Sequence, residues 1–285
     1  MKPEDVTIPI SAKCGLMCGA ERLRRKRVFL LDLDGTLYLG ETLFNGAAEF
    51  LRRVRERGGK YLFLTNNSSK GGEAYVEKMR RLGIETARSD FLTSVDATVR
   101  YLREHGGQDK LYYVCGTASF KAQLREAGFR LTDDRDAAVD VLLMGFDTEL
   151  TFRKLEDACI LLGRGVDYVA TNPDWVCPTR YGYVPDCGSV CEMLFRATGR
   201  RPYVVGKPRP DMVRLAMRAA GASPEETVVV GDRIYTDVAS GVNAGVDTVL
   251  VLSGESTKED AERSDVKPDF ILRDIRQLLD IINGA

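Results

Sequence analysis

Two aspartates near the amino-terminal end of the chain could carry out chemistry. In the stretch FLLDLDGTLYLG, residues 29–40, Asp32 and Asp34 follow an apolar run and precede Gly35. Alternate side chains of a strand point to the same face, so both carboxylates would emerge together where the strand ends. An Asp-Gly pair also occurs in ordinary turns, but an unpaired charge at Asp32 inside an apolar strand would cost several kcal/mol through desolvation. A bound cation would offset this cost, so we interpret the two aspartates as functional.

Three further stretches place polar groups where a predicted strand ends. They are LTNNSSKGG (64–72), VVGKPRP (204–210) and VVVGDRIYTD (228–237). Their candidate site residues are Thr65, Asn66, Asn67, Lys207, Asp232 and Asp237. Each residue alone has an ordinary explanation, as a helix cap, a helix-start acid or a surface charge. The carboxyl ends of parallel strands share one edge of a sheet, however, so all of these groups can converge there.

Phosphoryl transfer is the chemistry that would use the entire set. Carboxylates with room for water suit Mg²⁺, which prefers oxygen ligands in an octahedron. A lysine and a hydroxyl suit the oxygens of a phosphoryl group. A carboxylate is also a competent nucleophile toward phosphorus and forms an aspartyl-phosphate.

Histidine-based and zinc-based chemistry are disfavoured by the composition. The chain has a single histidine, His105, whereas histidine triads, phosphohistidine mechanisms and H-E-x-x-H sites need imidazole at the reacting centre. The close cysteine pairs are Cys14 with Cys18 and Cys187 with Cys191, and neither has the spacing or the histidine partners usual for zinc. The carboxylates must therefore carry any catalysis.

The overall charge indicates a small partner. The 285 residues include 41 Lys and Arg against 42 Asp and Glu, a net charge of −1, so there is no basic field to attract nucleic acid or an anionic membrane. We interpret the basic run RLRRKR, residues 22–27, as a solvated lead-in to the first strand. A small metabolite is the expected partner, with no nucleic acid and no membrane. The formation of a homodimer is left as an open alternative.

Apolar patterning and cysteine usage indicate a cytoplasmic protein. The longest apolar runs, such as VFLL and VLLM, are far shorter than the roughly 20 residues that cross a bilayer. The amino-terminal segment has its weak apolar patch before its positive charges, the reverse of a secretory signal. Seven cysteines at irregular spacing are typical of reduced thiols rather than of a disulfide framework.

Short apolar strands alternate with amphipathic helices throughout, which predicts an α/β fold with a Rossmann-like parallel sheet. The opening elements are a strand over 27–33, a helix over 46–58, a strand over 60–66 and a helix over 72–83. Segments at 203–206, 227–232 and 246–252 can extend the same sheet. Residues 91–197 show their own alternation and are too long for a loop. We therefore predict an arm over 1–25, a discontinuous core over 26–90 and 198–285, and an inserted α/β domain over 91–197.

These motifs resemble the haloacid dehalogenase superfamily of phosphatases. DLDGT at 32–36 is similar to its first motif, Thr65 to its second, Lys207 to its third and GDRIYTD at 231–237 to its fourth. The insertion carries TNPD at 171–174 and PDCGSVCEML at 185–194, which resemble the C2-type cap domain of subfamily IIA, the NagD and p-nitrophenylphosphatase type.

The resemblance implies a role for each matching residue. Asp32 would be the nucleophile and Asp34 the general acid and base. Mg²⁺ would be held by Asp32, by the backbone carbonyl of Asp34 and by Asp232, with Asp237 in or near that shell. Dehalogenases lack the second aspartate, so Asp34 favours the phosphatase branch. The implied substrate-binding residues are Thr65, Asn66, Asn67 and Lys207 for the phosphoryl group, and Asn172 and Asp174 of the cap for the leaving group.

The expected function is therefore a Mg²⁺-dependent phosphomonoesterase acting on a nucleoside monophosphate, a sugar phosphate or glycerol phosphate. A phosphotransferase or mutase using the same aspartyl-phosphate is the first alternative. A binding protein with a degenerate site is a remote one, because the set of site residues is intact. The loop over 175–187 does not identify the substrate.

Overall fold

The computed structural model describes residues 19–179 and 181–284. Of the predicted arm over 1–25, residues 1–18 lie outside the described residues. Its last part forms a short helix, which buries Leu23 and pairs Arg22 with Asp269 at 2.8 Å. This part of the chain therefore packs on the body of the protein.

Fifteen strands and eleven α-helices are present in the described residues. The strands are β1 (Val28–Leu31), β2 (Tyr38–Leu39), β3 (Thr42–Leu43), β4 (Lys60–Thr65), β5 (Phe91–Thr93), β6 (Leu111–Cys115), β7 (Arg130–Thr132), β8 (Val141–Met144), β9 (Asp167–Ala170), β10 (Val176–Thr179), β11 (Gly182–Pro185), β12 (Tyr203–Val204), β13 (Thr227–Gly231), β14 (Asp247–Val251) and β15 (Phe270–Leu272). The α-helices are α1 (Gly19–Arg24), α2 (Ala47–Glu56), α3 (Gly72–Arg81), α4 (Ser94–Glu104), α5 (Ala118–Glu126), α6 (Phe152–Gly163), α7 (Cys187–Thr198), α8 (Asp211–Ala220), α9 (Ala239–Ala244), α10 (Lys258–Arg263) and α11 (Ile275–Asn283).

The first sheet has six strands in the order β15-β14-β13-β1-β4-β5. Strand β1 pairs in parallel with β13 on one side and with β4 on the other, with Leu31 opposite Val230 and Phe63. All four residues of β1 are buried, as expected for a strand covered on both faces. The predicted α/β fold with a parallel-sheet core is confirmed.

The second sheet has five strands in the order β12-β9-β8-β6-β7, and its strand pairs are also parallel. We expected residues 203–206 to extend the first sheet, and this was wrong. Tyr203 and Val204 pair with β9, and the ladder continues through Val205 N–H to the Ala170 carbonyl at 3.0 Å. A short apolar segment carries no signal for which of two sheets it joins.

The chain divides into two compact units. The first comprises residues up to Leu64, Lys78–Phe91 and the chain from Pro208 onward, and the second comprises Thr65–Glu77 and Leu92–Lys207. The predicted domains, a core over 26–90 and 198–285 with an inserted domain over 91–197, stay a prediction.

Membrane and cysteine expectations can be checked within the described residues. No helix there has the length and apolar character needed to cross a membrane. Cys115, Cys159, Cys187 and Cys191 are free thiols, in agreement with the prediction of reduced thiols.

Candidate active site

The end of β1 turns sharply after its two aspartates. Asp32 N–H still donates to the Val230 carbonyl at 2.9 Å, which keeps Asp32 beside the end of β13. Gly35 follows with φ +87°, and a Cβ there would lie 2.5 Å from Asp232 Oδ2. Only glycine satisfies both this backbone conformation and this close approach.

Three carboxylates form a cluster in the first unit. One oxygen from each of Asp32, Asp232 and Asp237 lies within 4.8 Å of the others. Asp232 and Asp237 are buried, and Asp32 is half-buried. The Asp34 side chain contacts Lys78 instead, which is compatible with the expectation that Asp34 would reach a metal through its backbone carbonyl. Asp237, expected in or near the metal shell, contributes an oxygen to the cluster.

Asp232 is held in place by the loop that follows β14. Glu255 N–H donates to Asp232 Oδ2 at 2.7 Å, and Ser256 N–H donates to the Asp232 carbonyl at 3.1 Å. Thr36, from the first motif, approaches Asp232 Oδ1 with its hydroxyl at 3.4 Å. The loop leaves no room for a larger residue at Gly254, where a Cβ would lie 2.0 Å from Asp232 Oδ2.

Asp237 is held by the turn that begins the next helix. Arg233 N–H donates to Asp237 Oδ2 at 3.0 Å, and a single π-helical turn spans Ile234–Val238. A Cβ at Gly231 would lie 2.3 Å from the Asp237 Cβ, so the strand end and the helix start are in close contact. Single π-helical turns often occur at functional sites.

The electrostatics of the cluster favour a cation. Burial, followed by the nearby Asp237 carboxylate, raises the pKa of Asp232 to about 7. Two buried carboxylates close to each other are unfavourable when both are ionised, and a bound cation favours their charged forms. The donor set of carboxylate oxygens fits a hard divalent cation.

The other predicted site residues lie together in the second unit. Thr65 ends β4 and is buried, as are Asn66 and Lys207. The Asn66 side chain binds the Lys207 backbone on both sides, accepting from its N–H at 2.9 Å and donating to its carbonyl at 3.0 Å. Asn66 also donates to Asp174 Oδ1 at 3.0 Å. The Asn66 amide therefore links the loop after β4 to Lys207 and to the TNPD segment.

The remaining predicted residues contact their own loops. Asn67 Oδ1 accepts from the Ser69 N–H at 2.9 Å, and Asn67 N–H donates to Thr65 Oγ1 at 3.2 Å. Asn172 is fully buried and donates to Asp186 Oδ1 at 3.0 Å. The bonds of Asn67 shape the loop after β4, and the bond of Asn172 joins the TNPD segment to the residue that precedes α7.

A cavity of about 230 Å³ opens beside Asn172 in the second unit. Trp175 lines it and is 48% exposed, and Glu192 and Arg201 face each other across an ion pair of 2.9 Å on its wall. The neighbouring hairpin of β10 and β11 was not predicted, because Pro178 within β10 is atypical of a strand.

Two family models match the chain. Residues 29–130 match a family described as haloacid dehalogenase-like hydrolase, and residues 204–278 match one described as HAD-hydrolase-like. The acid sugar phosphatase of Staphylococcus aureus is 32% identical over 257 residues, which cover 90% of this chain and 98% of that protein. The chain belongs to the haloacid dehalogenase superfamily.

Solved structures place it within the superfamily. The structure of 4-nitrophenylphosphatase from Thermotoga maritima is 38% identical with a TM-score of 0.84, and the match covers 92% of this chain and 99% of that one. Glycerol phosphate phosphatase from Mycobacterium tuberculosis, solved in complex with magnesium, is 28% identical with a TM-score of 0.83, covering 90% and 77%. This haloacid dehalogenase family member is a phosphatase of the NagD and p-nitrophenylphosphatase subfamily, as the motifs indicated.

Two features of this family member were not singled out from its sequence. The loop over residues 253–256, which holds Asp232, also follows a strand end and could have been noticed on that ground. Lys78, in contrast, lies on α3 within the charged run EKMRR and has no sequence signal that separates it from a surface lysine.

Proposed function

We propose that the protein is a Mg²⁺-dependent phosphomonoesterase that hydrolyses a small cytoplasmic phosphorylated metabolite through an aspartyl-phosphate. The observation that carries the proposal is the cluster of Asp32, Asp232 and Asp237, with a further carboxylate, Asp34, two residues after Asp32. A Mg²⁺ ion held by the three clustered carboxylates would neutralise the negative charge of the approaching phosphoryl group.

In the first step, an oxygen of the Asp32 carboxylate attacks phosphorus, and the bond from phosphorus to the leaving oxygen breaks. Protonated Asp34 transfers its proton to that oxygen, so the product leaves as a neutral alcohol. The half-buried position of Asp32 at the end of β1 supports this role, since a nucleophile must be reachable by substrate.

In the second step, Asp34 accepts a proton from water, and the water oxygen bonds to phosphorus. The bond between phosphorus and Asp32 breaks, which releases inorganic phosphate and restores the Asp32 carboxylate. Asp34 is thereby protonated again and ready for the next cycle.

We assign the binding of the phosphoryl oxygens to the Thr65 hydroxyl and the Lys207 ammonium. Strand β4 lies next to β1 in the parallel sheet, and Thr65 is its last residue. Asn66 positions Lys207 through the two bonds to its backbone, and Asn67 shapes the loop through its bond to Ser69. Preorganised donors of this kind stabilise the charge of the transition state.

The substrate class proposed is a sugar phosphate or glycerol phosphate, with a nucleoside monophosphate as the other member of the set. The relatives named acid sugar phosphatase and glycerol phosphate phosphatase support the first two. We assign contact with the leaving group to the TNPD segment, through Asn172 and Asp174. The linkage of Asp174 to Asn66 supports a role of this segment near the phosphoryl-binding loop.

The test is hydrolysis of p-nitrophenyl phosphate with MgCl₂, with EDTA, and by the Asp32→Asn variant. We expect EDTA to abolish turnover and Asp32→Asn to lower kcat by roughly a thousand-fold or more, because the nucleophile is lost. Asp265→Asn is the matched control, since this exposed aspartate lies in the same unit far along the chain, and it should keep wild-type activity. Turnover that survives both EDTA and Asp32→Asn would contradict the mechanism.

Product analysis with an excess of an alcohol distinguishes hydrolysis from phosphotransfer. We expect inorganic phosphate to be the main product, because Asp34 is placed to activate water after the alcohol has left. A phosphorylated alcohol as the main product would identify a phosphotransferase instead.

A further inference from the structure

We propose that Lys78 is a positioning residue for Asp34. Its ammonium engages the Asp34 carboxyl group at Oδ1 and holds the orientation in which that group gives and receives the proton. This inference rests on the proposed function, because it assumes that Asp34 is the general acid and base of a phosphatase.

The first observation is the ion pair itself. Helix α3 carries Lys78 toward its end, and Lys78 Nζ lies 3.5 Å from Asp34 Oδ1. The two side chains are only 17% and 26% exposed, so they are shielded from much of the solvent that weakens surface pairs. Catalytic contacts are often long in a protein without substrate and shorten when substrate binds.

The second observation is that an aromatic ring fixes the lysine. Lys78 Nζ lies 3.7 Å from the centroid of the Tyr38 ring, within the range of a cation–π interaction. Tyr38 is fully buried, so the ring is a rigid support for the ammonium.

The third observation is that Tyr38 and Asp34 belong to the same turn. The Tyr38 carbonyl accepts a hydrogen bond from Gly35 N–H at 2.8 Å, and Asp34 and Tyr38 form an isolated β-bridge. Lys78 therefore contacts two side chains that the backbone already holds in a fixed relation. A cation fixed in this way restricts the rotation of the Asp34 carboxyl group.

A neighbouring pair on the same helix shows the contrast. Arg81 lies 3.6 Å from Glu41, but the two side chains are 50% and 66% exposed. Such a pair is a surface contact and contributes little. Arg81 is therefore a matched control for the removal of one positive charge from α3.

In the proposed reaction Lys78 orients the Asp34 carboxyl group and transfers no proton itself. As the bond from Asp32 to phosphorus forms and the bond to the leaving oxygen breaks, the proton on the Asp34 carboxyl group moves to the leaving oxygen. In the second step a water proton returns to the Asp34 carboxylate. The protons of Lys78 stay on its nitrogen throughout, so no further donor or acceptor is required.

The experiment compares phenyl phosphate with p-nitrophenyl phosphate in wild-type protein, Lys78→Met, Lys78→Arg and Arg81→Met. The value of kcat/KM reports the steps up to cleavage of the ester bond, and phenolate needs protonation far more than p-nitrophenolate does. We expect Lys78→Met to lower kcat/KM on phenyl phosphate by about 10 to 100-fold, a part of what general acid catalysis supplies. On p-nitrophenyl phosphate the loss should be at most about 3-fold by the same reasoning.

Lys78→Arg should keep most of the wild-type dependence on the leaving group, and Arg81→Met should keep all of it. Equal losses by Lys78→Met on the two substrates, or the same pattern in Arg81→Met, would overturn the inference. A rise in KM alone, with an unchanged rate of phenol release when enzyme is in excess, would also overturn it, since Lys78 would then bind substrate.

Two further controls keep the test decisive. Lys78→Gln replaces Lys78→Met if the latter lowers the thermal midpoint, and the same ratio between the two substrates is expected. Wild-type protein that hydrolyses neither ester with MgCl₂ would refute the proposed function itself, whereas active wild type with no change in ratio would refute only the role of Lys78.

Discussion

Two glycines lie against the carboxylate of Asp232, and both are needed for its position. A Cβ at Gly35 or Gly254 would lie 2.5 Å or 2.0 Å from Asp232 Oδ2. Asp232 was singled out from the sequence because it directly follows an apolar strand and can converge there with the other strand-end groups. The role of Gly254 was not, because a glycine in a loop usually indicates a turn and carries no information about which side chain will approach it.

Substitution of Gly254 by alanine should weaken metal binding. The new methyl group would displace either Asp232 or the Glu255 N–H that binds it, and loss of such supporting contacts typically costs about 10 to 100-fold in metal affinity. Isothermal titration with MgCl₂ measures the effect directly. Gly163→Ala at the end of α6, where a Cβ would meet no atom within 4 Å, should bind Mg²⁺ like wild type, and an equal affinity in Gly254→Ala would disprove this account.

At the scale of elements, the sequence predicted helices and buried strands well. The predicted helix over 72–83 is found as Gly72–Arg81, and the predicted strand over 60–66 as Lys60–Thr65, because long periodic segments carry a strong signal. The sequence did not predict the sheet that β12 joins or the hairpin of β10 and β11. The pairing of β12 is a tertiary contact of a two-residue strand, which local periodicity does not encode. The hairpin is local, but Pro178 within β10 is atypical of a strand.

The buried carboxylate of Asp157 connects helix α6, strand β6 and the loop that follows β7. Asp157 of α6 accepts from the Tyr113 hydroxyl of β6 at 2.7 Å and from Arg135 Nη1 at 2.8 Å. Burial alone would raise the pKa of Asp157, but these hydrogen bonds outweigh it and hold the pKa below its ordinary value. The stabilisation is therefore complete above the unfolded pKa of about 3.9 and is lost as the pH falls through the lower folded pKa.

Replacement of Asp157 by asparagine should destabilise the protein at neutral pH by about 2 kcal/mol, because a buried hydrogen-bond network loses its charged acceptor. Urea unfolding at pH 7 and at successively lower pH measures the difference, which should shrink below about pH 4. Glu156→Gln is the matched control on the same helix, since Glu156 is exposed and its contact with Arg135 is a surface pair. A difference from wild type that does not depend on pH would contradict an ionic role for Asp157.

At the scale of the whole molecule, the predicted site residues fall into two sets. The carboxylates that fit a cation all lie in the first unit, together with Gly35, Thr36 and the loop over residues 253–256 that support them. The phosphoryl-binding residues proposed, Thr65 and Lys207, lie in the second. Sequence order could not reveal this division, because Thr65 ends a strand of the first sheet and Lys207 directly precedes the first unit's last segment.

Mg²⁺ should therefore stabilise the first unit more than the second. A ligand at 100 times its Kd adds about 2.7 kcal/mol to the stability of the part that binds it. Trp175 is the single tryptophan of the chain and lies in the second unit, so its fluorescence reports that unit, whereas far-UV circular dichroism reports both. Thermal unfolding with MgCl₂ against EDTA should shift the dichroism transition upward by more than the fluorescence transition, and Asp237→Asn should remove the difference. Equal shifts by the two probes would show instead that the two units unfold together.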